Sequence, residues 1–153
     1  MKWKITALVM VMGMLMVAGM AGAEERATKK EAEAMVKRAV AHYKKNAETA
    51  LADFTAPSKM FVSKDLYIAA YDVTGKCVAH GQNAKQAGKD LIGMKDPDGK
   101  PFVKERVELA KSKGRFWQDY KFSDPLTKKV LPKQMYCEMA DDKVIICSGV
   151  YKQ

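Results

Sequence analysis

Residues 65–81 read DLYIAAYDVTGKCVAHG, and this stretch decides how the chain is built. Residues 65–72 form a run of aromatic and β-branched side chains with a period of two. Residues 73–76 (VTGK) form a turn, and residues 77–81 (CVAHG) a second short strand. Two such runs around a glycine-bearing turn predict a β-hairpin, so a sheet begins here.

Upstream the period changes. Val36, Val40, Tyr43, Ala47, Leu51 and Phe54 recur at spacings of 4, 3, 4, 4 and 3. That is an apolar stripe at helical period, with Lys37, Lys44, Lys45 and Glu48 on the other faces. No Gly or Pro interrupts it before Pro57, so one long helix is expected over about 28–55. Residues 24–33 (EERATKKEAE) are nearly all polar and are expected to project into solvent. Glu and Lys are interleaved there with no aromatic between them, which favours a solvated helix face over a nucleic-acid-binding stripe.

Downstream, about twenty residues carry Gly81, Gly88, Gly93, Pro97, Gly99 and Pro101. A loop of this length inside a small domain is usually functional. Residues 101–114 then read as a short helix. Pro101 suits its start, Phe102, Val103, Val107 and Ala110 form its stripe, and Gly114 stops it. Three strands follow over 115–122, 131–140 and 143–151, joined by turns at Asp124-Pro125 and Asp141-Asp142. The expected fold is α+β: a long N-terminal helix on a five-stranded antiparallel sheet, with a helical crossover between strands two and three.

The chain has 153 residues, is 48% hydrophobic and 29% charged, and carries a net charge of +9. That bounds it to one folded domain and suggests an anionic partner. The N-terminus changes the arithmetic. A basic KWK at 2–4, an uncharged apolar run over 5–20 and a small-residue Ala21-Gly22-Ala23 make up a secretory signal peptide over residues 1–23, with cleavage expected after Ala23. The apolar run is short for a membrane span of about 20 residues. The domain is then residues 24–153. Lys2 and Lys4 leave with the signal, lowering the charge by two to +7, and six of the eleven Met leave too. The expected location is the periplasm or the exterior, where cysteines meet an oxidising environment.

Cys137 and Cys147 flank the last hairpin. A two-residue loop at Asp141-Asp142 sets Cys137 opposite Ile146. A three-residue loop over 141–143 sets it opposite Cys147, within disulfide reach. Loop length therefore decides the bond, and export favours it. Cys77 is left as the odd thiol.

Four blocks stand in order along the chain: Tyr67 to Asp72 with Gly75; Ala79-His80; GKDL (88–91) through DPDGK (96–100); and SGVYK (148–152). With them, residues 31–152 resemble the single-Cache domain family. The resemblance implies a PAS-like extracytoplasmic sensor fold, in which the long helix covers one sheet face and the long loop helps enclose a small-ligand pocket on the other. It implies, as ligand, a short organic acid; no cofactor is expected. Such domains sit in chemoreceptors and sensor kinases. This chain shows no membrane span or signalling module after the domain, so a free-standing binding protein is expected, reporting to a membrane receptor or sensor kinase partner.

A small carboxylate needs a cation and hydrogen-bond donors at the wall of a mostly apolar pocket. Lys133, in the block matching the family's Pro-Lys, is the expected charge partner. His80, Tyr120 and Tyr136 are the expected donors, and Trp117 an apolar wall. Lys133 and Tyr136 are three apart on one strand, so alternation opposes their sharing a pocket unless a bulge intervenes. No catalytic motif occurs, and Asp96-Pro97-Asp98-Gly99 lacks the ligand spacing of a calcium loop. Alternation also sets Cys77 and His80 on opposite faces, against a metal site. Two other functions fit the composition: an extracytoplasmic thiol or redox protein using Cys77, Cys137 and Cys147, and a basic interaction module that forms a homodimer or docks through its long helix.

Overall fold

Asn46 divides the N-terminal helical stretch in two. A computed structural model describes residues 24–56 and 60–152; the expected export signal (1–23) and Pro57 lie outside the described residues. Helix α1 spans Lys29–Lys45 and α2 spans Ala47–Thr55. Asn46 between them is extended (φ −158°, ψ 104°), and its side chain accepts from the Thr49 N–H. An asparagine competes well for this capping role, so the stripe continues while the backbone breaks. The helix therefore starts and stops where expected but is not continuous.

The start of α1 is capped by Thr28, whose hydroxyl accepts from the Glu31 N–H while Glu31 accepts from the Thr28 N–H. This reciprocal pair satisfies two otherwise orphaned donors. The residues ahead of it do not project into solvent as expected. Ala27 is buried and donates its N–H to Asp65 at 2.8 Å, and Arg26 bridges to Asp65 and Asp124. Residues 24–28 thus lie as a strap on the body of the domain.

Strands β1 (Val62–Ser63) and β2 (Leu66–Tyr67) form a small two-stranded sheet. Ile68 then separates β2 from β3 (Ala69–Asp72), so the expected first strand is split. β3, β4 (Cys77–His80), β5 (Arg115–Ser123), β6 (Val130–Met139) and β7 (Val144–Tyr151) make one antiparallel sheet in the order β4-β3-β7-β6-β5. Helix α3 (Phe102–Lys113) crosses from one edge strand to the other. β7 is central and buried at every residue. In the β3–β4 turn Gly75 has φ +93°, and a side chain there would press into Ile92, so this glycine seats the long loop on the hairpin.

The sheet buries both faces. On one, Met35, Val36, Ala39, Val40 and Tyr43 of α1 and Phe54 of α2 pack on Ile146, Val150 and Tyr136. On the other, Phe102, Val103, Val107 and Ala110 of α3 pack on Tyr71, Phe116, Tyr120, Met135 and Ile145. The β6–β7 register sets Cys137 opposite Cys147, and the Ala140 N–H to Val144 carbonyl bond closes a three-residue turn over 141–143. In the structure the two cysteines are joined in a disulfide with Cα atoms 4.2 Å apart.

Candidate functional site

Two buried cations share the α3 face of the sheet. Arg106 lies inside the apolar stripe of α3, fully buried. Its Nε donates to Gln118 Oε1 at 3.0 Å, and Gln118 is anchored by donating to the Phe102 carbonyl at 2.9 Å. The guanidinium lies 4.9, 5.4 and 5.0 Å from the ring centroids of Tyr71, Phe102 and Tyr120. Both terminal nitrogens, Nη1 and Nη2, are buried without a hydrogen-bond partner among the described residues. A guanidinium fork is rarely left so, because each unsatisfied buried donor costs about 1–3 kcal/mol or more.

Lys133 on β6 is the second cation. Its Nζ donates to Tyr67 at 2.9 Å and to Tyr151 at 3.2 Å, and lies 4.2 and 4.6 Å from the centres of those rings. Burial lowers its pKa to about 7, and repulsion from Arg106 adds to the shift. Tyr151 in turn donates to the Ser123 carbonyl at 2.6 Å. Burial pushes the phenols of Tyr67, Tyr120 and Tyr151 up, so these groups stay protonated.

His80 is buried beside this group, its ring 5.1 Å from Tyr67 and 6.4 Å from Phe122. Its Nδ1 accepts from the Gln82 and Asn83 N–H groups at 3.3 and 3.0 Å, which fixes the start of the long loop. Burial, with Lys133 and Arg106 nearby, lowers its pKa to about 4. It is neutral at physiological pH. A cavity of about 370 Å³ opens next to it, lined also by Asn83, Gln86, Met94, Phe122 and Asp124.

A Cache-domain family model (dCache_2) matches residues 43–153. The chain belongs to the Cache domain family. Part of this Cache domain, 89 residues, is 29% identical to the sensor histidine kinase MctS of Rhizobium johnstonii; the match covers 58% of the chain and 19% of the kinase. The fold matches a methyl-accepting chemotaxis protein from Vibrio parahaemolyticus with a TM-score of 0.68 at 23% identity, over 80% of this chain and 87% of that one. It also matches the periplasmic sensor domain of a chemotaxis protein (TM-score 0.65, 23% identity, 81% and 90% covered). A Cache chemosensory domain described for carboxylic acid recognition matches with a TM-score of 0.64 at 24% identity, over 81% and 88% of the two chains. The chain is thus a Cache sensor domain, and the α+β fold expected for it is present.

Within this Cache domain the expected site residues divide by sheet face. Lys133, Tyr120 and His80 come together on the α3 face. Trp117 and Tyr136 do not join them. They pack against each other on the α1 face at 5.3 Å, with Lys29 over the Trp117 ring and Trp117 Nε1 donating to Glu33. Strand alternation puts Trp117 opposite to Tyr120, and Tyr136 opposite to Lys133. The expectation that Cys77 and His80 face apart is also corrected. A bulge at Val78 shifts the β3–β4 register between Ala70 and Tyr71, and both side chains then face the α3 side. No group of residues suited to holding a metal occurs among the described residues. No described helix is long and apolar enough to cross a membrane.

Arg106, Tyr67, Tyr71 and Tyr151 were not foreseen. The signal for Arg106 was present: it stands three and four residues from Val103, Phe102 and Ala110, in the middle of the α3 stripe. A charged residue at a core position of an amphipathic helix signals a buried charge that needs a partner.

Proposed function

We propose that this Cache domain binds a small organic acid whose carboxylate accepts from both terminal nitrogens of Arg106, with Lys133 as the neighbouring cation. The observation that carries this is the unpartnered, fully buried guanidinium fork. A carboxylate matches that fork in a bidentate geometry and removes the unsatisfied donors. The surrounding Phe102, Tyr71 and Tyr120 rings suit a short apolar chain and exclude water, which strengthens the charge pairing. The similarity to a domain described for carboxylic acid recognition supports the same ligand class. The kinase and chemotaxis relatives support an extracytoplasmic sensor that reports occupancy to a membrane receptor or kinase.

A thiol or redox function fits less well. Cys77 is fully buried and its thiol is pushed up to about 11 by burial, opposite to what a nucleophilic thiol requires.

Calorimetric titration of the domain with acetate, propionate, lactate and pyruvate, each beside its primary amide, tests the proposal. The acids should bind and the amides should not. Arg106→Met should abolish binding while leaving a folded domain. A full acid panel that gives neither heat nor a thermal shift overturns it.

A further inference from the structure

The 370 Å³ cavity and the two buried cations do not meet: neither Arg106 nor Lys133 lines the cavity. The Phe122 side chain borders both. Phe122 lines the cavity together with His80, Met94 and Asp124. Inward, its ring lies 5.7 Å from Lys133 Nζ, 5.8 Å from the Tyr120 ring and 6.0 Å from the Phe102 ring, the latter two being rings that flank Arg106. It also lines a second, smaller opening of about 100 Å³ beside Phe102 and Met94. Phe122 is only half-buried, sits next to the last residue of edge strand β5, and is followed by the exposed Ser123. Rotation about χ1 moves such a ring between staggered positions without disturbing the strand, and both openings offer space beside it.

Given a carboxylate held by Arg106, we infer that Phe122 is the gate and the size filter of that site. A ligand reaches the guanidinium only when the Phe122 ring turns toward the cavity. With the ring returned, its volume limits the length of the acid's carbon chain. The polar groups beyond it, Asn83 and Gln86, then stay on the cavity side and do not touch the ligand.

The test is a chain-length series, acetate to hexanoate, measured by calorimetry and stopped-flow on wild type and on the Phe122→Ala, Phe122→Leu and Phe122→Trp variants. Phe122→Ala and Phe122→Leu should accept acids two or more carbons longer than wild type does and should associate at least tenfold faster. Phe122→Trp should shorten the longest acid accepted and slow association. Thermal unfolding checks the fold of each variant; if Phe122→Ala does not fold, the Leu and Trp variants bracket the effect. A wild-type profile shared by all folded variants, in length and in rate, overturns the gate and leaves the Arg106 site standing. Absence of binding by wild type overturns both.

Discussion

Arg26 grips Asp124 through both of its terminal nitrogens, each at 2.7 Å from a carboxylate oxygen. Asp124 also accepts from Thr127 Oγ1 at 2.6 Å and lines the cavity beside His80. The pair therefore ties the strap ahead of α1 to the rim of the 370 Å³ cavity. The Arg26 guanidinium holds the Asp124 carboxyl well below the usual carboxylate range. Stability from this group is present above pH of about 4 and is lost as pH falls through the depressed folded value. Removing Arg26 leaves a buried carboxylate with hydroxyl and N–H donors only. Arg26→Ala should destabilise the domain by about 3 kcal/mol in urea unfolding at pH 7. A change under 0.5 kcal/mol would show the strap to be incidental.

With Lys133 as the cation beside the proposed carboxylate, ligand affinity should depend on pH. Its free-state value of about 7 means the amine is partly neutral above neutrality, while a bound carboxylate favours the charged form. Above pH 7 binding should take up close to one proton, and affinity should fall about tenfold per pH unit. Calorimetry in two buffers of different ionisation enthalpy measures the uptake directly. Because the unfolded lysine keeps its proton up to about pH 10.4, the free domain should also gain stability as pH rises above 7. Lys133→Met should remove both effects, weaken acid binding at least tenfold and leave the free domain as stable or more so. Identical affinity at pH 6 and pH 9 would refute this role.

His80 should leave its own signature at lower pH. Its folded value of about 4 lies under the ordinary value of about 6.5, so the unfolded chain binds a proton in that window and the folded chain does not. Stability should therefore rise as pH climbs from 4 to 6.5, by up to about 3 kcal/mol. His80→Asn retains an acceptor for the Gln82 and Asn83 N–H groups but does not titrate. Urea unfolding of this variant at pH 4.5, 5.5 and 6.5 should give a flatter profile than wild type; the same slope in both would count against His80.

Thiol counting addresses the cysteines. With Cys137 and Cys147 joined and Cys77 fully buried, the native domain should show no thiol reactive to maleimide, and the unfolded, unreduced domain should show one. Replacing both Cys137 and Cys147 with Ala should cost about 2–3 kcal/mol, the range for a short closed loop. Three thiols in the unfolded, unreduced protein would exclude the bond.

Where elements begin and end was legible because it depends on neighbours in sequence. The α3 stripe, the turn around Gly75 and the three closing strands lie within a residue or so of their expected bounds, while the first strand is split at Ile68. The expected continuous helix failed at Asn46, where a side-chain cap outcompetes the next helical bond; a helical period cannot register a break that preserves the stripe. The placement of Trp117 and Tyr136 failed because alternation separates two faces but does not say which face the helix covers. The Val78 bulge reversed the Cys77–His80 relation because a single extra residue inverts everything beyond it.

By itself, then, the sequence determined the order of helices and strands, the two alternating sets of side chains on the sheet, and the candidacy of Lys133. Only the tertiary structure decided which strands are neighbours. The order β4-β3-β7-β6-β5 seats β7 at the centre and brings Tyr151 beside Tyr67, around a lysine from β6. It also carries α3 across the sheet so that Arg106 faces them with its fork unpaired. Those contacts join residues up to 84 positions apart in the chain. Long-range pairing of this kind is set by which apolar faces bury each other, a property of the folded whole that no local period encodes.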